Sequence, residues 1–215
     1  MQLVGMLDSP YVRRVAVALI VAKVPFAHRP ISLFRHIDEF SKINPLLKAP
    51  TFVADDGTVL MDSSLVLDYL ACVHPRIAAL TPSKAPERLR HLRMTGLALT
   101  VMEKAVQRYY ESALRPKEKW HEPWIGRVMG QLSAGLRALD AELPKSGWIT
   151  GGLGLADISV VCAFGFVRHV LSDVDVVDLG RYPNLADFCA SAEALPAFRA
   201  APPEDGVTAP PGTAD

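Results

Sequence analysis

Hydrophobic and polar positions divide the chain into a first part with short apolar runs and a second part with helical spacing throughout. In the first part, strand-like runs alternate with segments of helical pattern, in the order β-α-β-α-β-β-α. The turn Asp55-Asp56-Gly57-Thr58 predicts a hairpin between the last two strands. The predicted strands are residues 2–7, 26–31, 51–54 and 59–61.

After residue 86, the apolar spacing predicts helices at residues 87–114, 120–143, 155–171 and 182–195. The third of these is apolar on nearly every side, which predicts the buried centre of a helical domain. Gly154 stands at its N-cap and Asp157 at its N3 position. Because a glycine cap has no hydroxyl, we expect this helix to begin less stably than one capped by Ser or Thr.

These patterns predict a two-domain protein, an α+β domain followed by an all-helical bundle. The α+β domain is expected at residues 1–75, a linker rich in Pro and Ala at 76–86, and the helical domain at 87–200. Residues 201–215 contain many prolines and little that is apolar, which predicts a disordered tail.

Charge and cysteine content narrow the class of protein. Lys+Arg and Asp+Glu both number 23, so there is no basic surplus for nucleic acid or an anionic membrane, and we expect neither as a partner. The three cysteines lie far apart and show no zinc spacing, so no metal is expected and the pattern is typical of a reducing cytoplasm. We expect no signal peptide and no membrane span.

Three separated motifs are candidates for chemistry. Ser9-Pro10-Tyr11 follows the first strand, where Ser9 is predicted at a helix N-cap and Pro10 at the first helical position. The free N–H groups of such a helix end favour an anion, and a thiolate is one. The second motif runs from Asn44 to Pro50 before the third strand, and the third is Asp62-Ser63 at a predicted N-cap. Taken alone, each has an ordinary structural explanation as a cap or an edge proline.

In their order and spacing, the three motifs resemble the thioredoxin-like N-terminal domain of the soluble glutathione S-transferases. The Ser9 turn is also similar to the Cys-Pro-Tyr-Cys turn of glutaredoxins, with Ser9 and Val12 in place of the cysteines, which excludes a dithiol there. The resemblance covers about residues 1–199 and implies a cytoplasmic glutathione transferase with a detoxification role. It also implies a homodimer, with glutathione as co-substrate.

The resemblance implies a role for each site residue. Ser9 would donate to the sulfur as the catalytic group, although the Tyr11 phenol is an alternative donor. Ala49 would pair through its backbone with the cysteinyl part of glutathione, before a cis bond to Pro50. Ser63 would bind the γ-glutamyl carboxylate and Asp62 its ammonium group. A ligand carboxylate is also within reach of Lys48, although such a lysine is most often a solvated loop residue.

A small hydrophobic electrophile would bind between the two domains. Its candidate pocket residues are Leu7, Tyr11, Phe34, Tyr109, Tyr110 and Trp120. For Tyr109 and Tyr110, packing within the helical domain is nearly as good an explanation. Two other functions stay open, namely a glutathione-dependent disulfide reductase or peroxidase and a non-catalytic glutathione-binding protein.

Overall fold

The structure is a computed structural model, and it describes residues 1–171 and 177–203. The chain folds into two compact units. Unit 1 consists of Met1–Thr81 together with the segment that begins at Glu193, and unit 2 is Pro82–Ala192. The part of the chain from residue 193 to 200, expected in the helical domain, therefore belongs with the N-terminal part.

Unit 1 has the predicted order of elements around a four-stranded mixed sheet. Its elements are β1 Gln2–Val4, α1 Pro10–Val21, β2 Ala27–Arg29, α2 Ile37–Ser41, β3 Thr51–Val53, β4 Val59–Met61, α3 Ser63–Val73 and α4 Pro75–Ala78, with α9 Pro196–Arg199 from the C-terminal segment. The strand order is β2-β1-β3-β4, in which β1 and β2 are parallel and the other two pairs are antiparallel. This confirms the thioredoxin-like arrangement.

The core of unit 1 lies between the sheet and α1, where the side chains of Leu3, Val15, Leu19 and Phe52 are fully buried. A smaller apolar cluster around Phe40 holds α2 and the following loop against the sheet. The expected linker is partly helical, because α4 lies within it and Ile77 has no exposed surface.

Among its described residues, unit 2 has four α-helices. They are α5 Ala85–Leu114, α6 Glu122–Glu142, α7 Leu155–Leu171 and α8 Pro183–Glu193, and the last residue of α8 falls in unit 1. Two short 3-10 helices lie at Lys117–Lys119 and Leu179–Arg181. The side chains of α7 are buried along almost its whole length, as predicted for the centre of the bundle. Within the described ranges, no helix is both long enough and apolar enough to cross a membrane.

The beginning of α7 depends on Asp157 rather than on a hydroxyl cap. The Asp157 carboxylate accepts hydrogen bonds from the N–H groups of Gly154 and Ile149, both at 2.9 Å. Burial raises the pKa of this carboxyl, and the hydrogen bonds from Ile149 and Gly154 partly oppose that rise. The carboxylate half of the capping box is therefore present although its hydroxyl half is missing.

The first residue of the predicted disordered tail is buried in the structure. Ala201 has no exposed surface, and its carbonyl accepts a hydrogen bond from Nε of Arg13 at 2.7 Å. Ordered chain thus extends beyond residue 200, and the remainder of the predicted tail, residues 204–215, lies outside the described residues.

Candidate functional site

Ser9 is the N-cap of α1, as the sequence predicts. Its backbone is extended (φ −69°, ψ 121°), and Pro10 occupies the first helical turn. The Ser9 hydroxyl oxygen accepts a long hydrogen bond, 3.4 Å, from the N–H of Val12. Because this bond uses a lone pair and not the hydroxyl hydrogen, the hydroxyl can still donate to a ligand.

A close backbone approach brings the second motif to this turn. Gly5 has φ +134°, and a Cβ there would lie 2.7 Å from Cγ2 of Val12 and 3.2 Å from Cβ of Ala49. Only glycine fits this position without displacing α1 or the loop. Ala49 therefore packs at the end of β1 beside the first turn of α1, and its bond to Pro50 is cis, as the resemblance implies.

His28 on β2 supports the same corner from the other side. Its Nε2–H donates to the Gly5 carbonyl at 2.8 Å, since a carbonyl oxygen can only accept. Burial lowers the pKa of the His28 imidazole, and the hydrogen bond to Gly5 opposes part of that change. Protonation of this ring is thus disfavoured by the fold.

The third motif lies at the N-terminus of α3. Asp62 is the N-cap, with the uncommon positive φ of 72°, and its exposed carboxylate accepts hydrogen bonds from the N–H groups of Ser64 and Leu65. The same carboxylate therefore caps the helix and faces solvent, where a ligand ammonium could meet it. Ser63, the first helical residue, is buried with 2% of its surface exposed.

Arg14 contacts two residues at the third motif and was not among the predicted site residues. It lies on α1, is almost fully buried, and donates from Nη1 to the hydroxyls of Ser63 at 2.9 Å and Ser64 at 3.1 Å. This buried cation ties the helix that begins at Ser9 to the one that begins at Ser63. A signal was present in the sequence, since Arg13 and Arg14 interrupt an otherwise apolar helix.

The remaining glutathione-site candidates are more open. Lys48 is exposed and Tyr11 is half-buried. Cys72 is exposed on α3, whereas Cys162 and Cys189 are buried in unit 2. Among the described residues, no group of three or more His, Cys, Asp or Glu side chains is placed to hold a metal ion.

The candidate electrophile residues fall into different surroundings. Leu7 is fully buried in unit 1, whereas Phe34 is exposed. In unit 2, Tyr109 packs edge-on against Phe166, with ring centroids 6.4 Å apart. The Trp120 ring stacks with the Arg108 guanidinium at 5.1 Å.

Tyr110 lines a cavity of about 360 Å³ within unit 2. The other lining residues are Gln107, Glu111, Leu114, Arg115 and Trp124. Trp124 was not among the predicted pocket residues. Of the two neighbouring tyrosines, Tyr109 thus packs against Phe166, whereas Tyr110 lines the cavity.

Known proteins resemble this chain over almost its full length. Residues 3–78 match the family model for the glutathione S-transferase N-terminal domain, and residues 122–191 match that for the C-terminal domain. A maleylacetoacetate isomerase from Pseudomonas aeruginosa is 28% identical, over 88% of this chain and 90% of that protein.

Solved structures give the same result. A glutathione S-transferase from Methylobacillus flagellatus with glutathione bound is 28% identical, with a TM-score of 0.84 and coverage of 94% of this chain and 99% of that one. A glutathione transferase family member from Pseudomonas fluorescens Pf-5, with bound S-(propanoic acid)-glutathione, is 30% identical. Its TM-score is 0.78, with coverage of 93% and 97%. The chain belongs to the glutathione S-transferase family.

Proposed function

We propose that the protein binds glutathione, ionises its thiol beside Ser9 and directs the thiolate at a small electrophile. The observation that carries this proposal is the meeting of three motifs at one corner of unit 1. Gly5 brings Ala49 to the first turn of α1, and Arg14 joins that helix to Ser63. The Ser9 turn itself contains no cysteine, so the reactive sulfur must come from a ligand.

Glutathione offers two carboxylates, one ammonium group and one thiol, and the site has a partner for each. The γ-glutamyl carboxylate suits the Ser63 hydroxyl and the N-terminus of α3, with the buried charge of Arg14 behind them. The ammonium suits the exposed Asp62 carboxylate. The cysteinyl part suits the backbone of Ala49, and Lys48 is available to a carboxylate in solvent.

Thiol ionisation is the chemical task of the remaining groups. A free thiol has a pKa of roughly 8.5, and a hydroxyl donor at a helix N-terminus lowers it by stabilising the thiolate. Ser9 provides that donor at the N-terminus of α1. The sulfur would then form a bond to an electrophilic carbon, and the electron pair would leave with the departing group.

Isomerisation of an unsaturated acid is a second candidate function. It is favoured by the Pseudomonas aeruginosa relative, which is named a maleylacetoacetate isomerase. The same thiolate would add to a carbon–carbon double bond, permit rotation and leave again with its electron pair. Ser9 would have the same role in both reactions, so the two differ in the electrophile and not in the nucleophile.

We also propose that the protein forms a homodimer in the cytoplasm and contributes to detoxification. The observation that supports a dimer is an apolar stripe on α3 of unit 1. Leu65, Tyr69 and Val73 are exposed there at four-residue spacing. Such a stripe on a helix commonly marks a protein interface. Light scattering that gives only the monomer mass at micromolar concentration would contradict this part of the proposal.

The test of the proposed function is the ultraviolet absorbance of bound thiolate, titrated against pH. For Ser9→Ala we expect a thiol pKa higher by about one to two units, because one charged hydrogen bond is worth about 1.5–3 kcal/mol. Tyr11→Phe is the matched control and should titrate like wild type. If only Tyr11→Phe changes the titration, Tyr11 is the donor.

Substrate assays then separate the reactions. An aryl halide, an unsaturated acid, a small disulfide and an organic peroxide distinguish transferase, isomerase, reductase and peroxidase activity. Calorimetry that detects no binding at millimolar glutathione would reject the proposed function as a whole.

A further inference from the structure

The loop that carries Ala49 is anchored by two buried polar side chains outside the predicted site. Asn44 and Thr51 are 2% and 0% exposed. Asn44 donates from Nδ2 to Oγ1 of Thr51 at 2.9 Å and accepts at Oδ1 from the N–H of Leu46 at 3.0 Å. Thr51 donates in turn to the carbonyl oxygen of Lys48 at 2.6 Å.

The direction of this hydrogen-bond chain follows from its ends. The Lys48 carbonyl can only accept, so the single hydroxyl hydrogen of Thr51 must point to it. Asn44 must therefore present its NH₂ group to Thr51, which leaves its carbonyl oxygen for the Leu46 N–H. Each group has one possible role, and the chain therefore has a single arrangement.

Thr51 is also fixed in the sheet. It is the first residue of β3, where it pairs with Val4 of β1 on one side and Met61 of β4 on the other. The hydrogen bond from its side chain to the Lys48 carbonyl therefore attaches the loop to the sheet.

The Lys48 carbonyl and the Ala49 N–H belong to the same peptide group. That peptide is trans, because among the described residues the only cis bond is Ala49–Pro50. A trans peptide is planar, and its C=O and N–H point in opposite directions. When Thr51 holds the Lys48 carbonyl toward the interior, the Ala49 N–H must point away from it, on the side where Ala49 is partly exposed.

We propose that Thr51, oriented by Asn44, is a positioning residue that aims the Ala49 N–H at the cysteinyl carbonyl of glutathione. This inference rests on the proposed function. It adds that recognition of the cysteinyl group depends on a hydroxyl that never touches the ligand. The hydroxyl acts through the orientation of one peptide plane.

The test compares two variants with two ligands. Thr51→Val removes the hydroxyl at nearly constant volume, and Thr51→Ser retains it. Glutathione contains the cysteinyl carbonyl, whereas γ-glutamylcysteamine has the γ-glutamyl group and the thiol but lacks that carbonyl. We expect Thr51→Val to bind glutathione about three- to ten-fold more weakly than wild type, which is the change for one neutral hydrogen bond. The same variant should bind γ-glutamylcysteamine with the affinity of wild type. Thr51→Ser should match wild type with both.

A loss that is equal for both ligands would mean that Thr51 only stabilises the loop, and would overturn the proposal. Unchanged glutathione binding in Thr51→Val would overturn it too. If wild type binds neither ligand, the proposed function fails and this inference fails with it. Wild type that binds glutathione while Thr51→Val shows no selective loss rejects the inference alone.

A second measurement tests the Ala49 contact, on which the proposal depends, if Thr51→Val does not fold or γ-glutamylcysteamine binds too weakly to compare. In the amide spectrum of the wild-type protein, glutathione should move the Ala49 N–H proton downfield, as expected when a hydrogen bond forms. An Ala49 amide that does not respond to saturating glutathione would overturn the proposal.

Discussion

Replacement of Glu193 by glutamine tests the contact that holds the C-terminal segment of unit 1 to α1. The Glu193 carboxylate accepts two hydrogen bonds from Arg13 of α1, at 2.7 and 2.6 Å. The Arg13 guanidinium also donates to the Ala201 carbonyl and lies 5.9 Å from the ring of Phe198. Glu193→Gln leaves the shape almost unchanged but removes the negative charge.

The expected cost follows from the burial of the two partners. The Arg13 side chain is 2% exposed and that of Glu193 is 32% exposed. Removing one partner of a fully buried pair costs about 3–5 kcal/mol. Because water reaches Glu193 and the amide oxygen can still accept one bond, we expect about 2–3 kcal/mol. For a chain of this length, that is a decrease in melting temperature of about 4–12 °C.

The chain offers a matched control in unit 2. Glu142 accepts two hydrogen bonds from Arg93 at 2.8 and 2.5 Å, and its side chain is 35% exposed, almost the same as Glu193. The difference lies in the arginine, since the Arg93 side chain is 58% exposed. An ion pair this exposed contributes little to stability, so Glu142→Gln should lower the melting temperature much less than Glu193→Gln does.

Calorimetry at neutral pH measures the melting temperatures of both variants. Equal shifts for Glu193→Gln and Glu142→Gln would refute the reasoning, because they would mean that burial of Arg13 adds nothing to the cost. A further double variant, Arg13→Met with Glu193→Leu, should be more stable than Glu193→Gln, since it leaves no unpaired charge in the core.

Three other predictions concern Arg14, the C-terminus and His28. Arg14→Met should weaken glutathione binding by about 1–3 kcal/mol in calorimetry, and an analogue without the γ-glutamyl carboxylate should lose less, because the arginine acts through Ser63. A chain that ends at residue 203 should melt like wild type, whereas one that ends at residue 200 loses the carbonyl bonded to Arg13 and should melt lower. The lowered pKa of His28 means that the unfolded chain binds its proton more readily, so stability should fall as pH decreases from the ordinary value of 6.5 through the folded pKa. In urea unfolding at several pH values, His28→Gln should reduce this slope, and an unchanged slope would contradict the prediction.

Local signals in the sequence were sufficient to predict the helix ends and turns that surround the candidate site. Ser9-Pro10 predicts the beginning of α1, and the hairpin turn predicts the β3–β4 pair, because caps and turns depend on residues close together in the chain. The resemblance supplied the cis Ala49–Pro50 bond, which is confirmed. These features need no knowledge of distant partners.

The buried arginines could not be assigned in this way. Arg13 and Arg14 are neighbours on α1, yet the first pairs with Glu193 and the second with Ser63. Both partners are distant in sequence, and charge patterns show only near neighbours on a helix. The sequence therefore indicated two unusual cations on an apolar helix but not their roles.

The beginning of α7 shows the same limit on a smaller scale. Gly154 at the cap suggested a weak start, because a glycine has no side chain to accept a hydrogen bond. In the structure, Asp157 also binds the N–H of Ile149, eight residues upstream. This bond depends on how the preceding loop folds back, which spacing alone does not specify.

The return of the C-terminal segment to α1 has a consequence for protein synthesis. The Arg13 side chain emerges from the ribosome early, but its partners Glu193 and Ala201 follow only after the whole of Pro82–Ala192 has been made. At about 5–20 residues per second, that delay is on the order of ten seconds. During this interval Arg13 cannot make the contacts with Glu193 and Ala201 that it has in the folded protein. The contacts between α1 and this segment therefore form only after unit 2 has been synthesised, so unit 1 is completed late in synthesis.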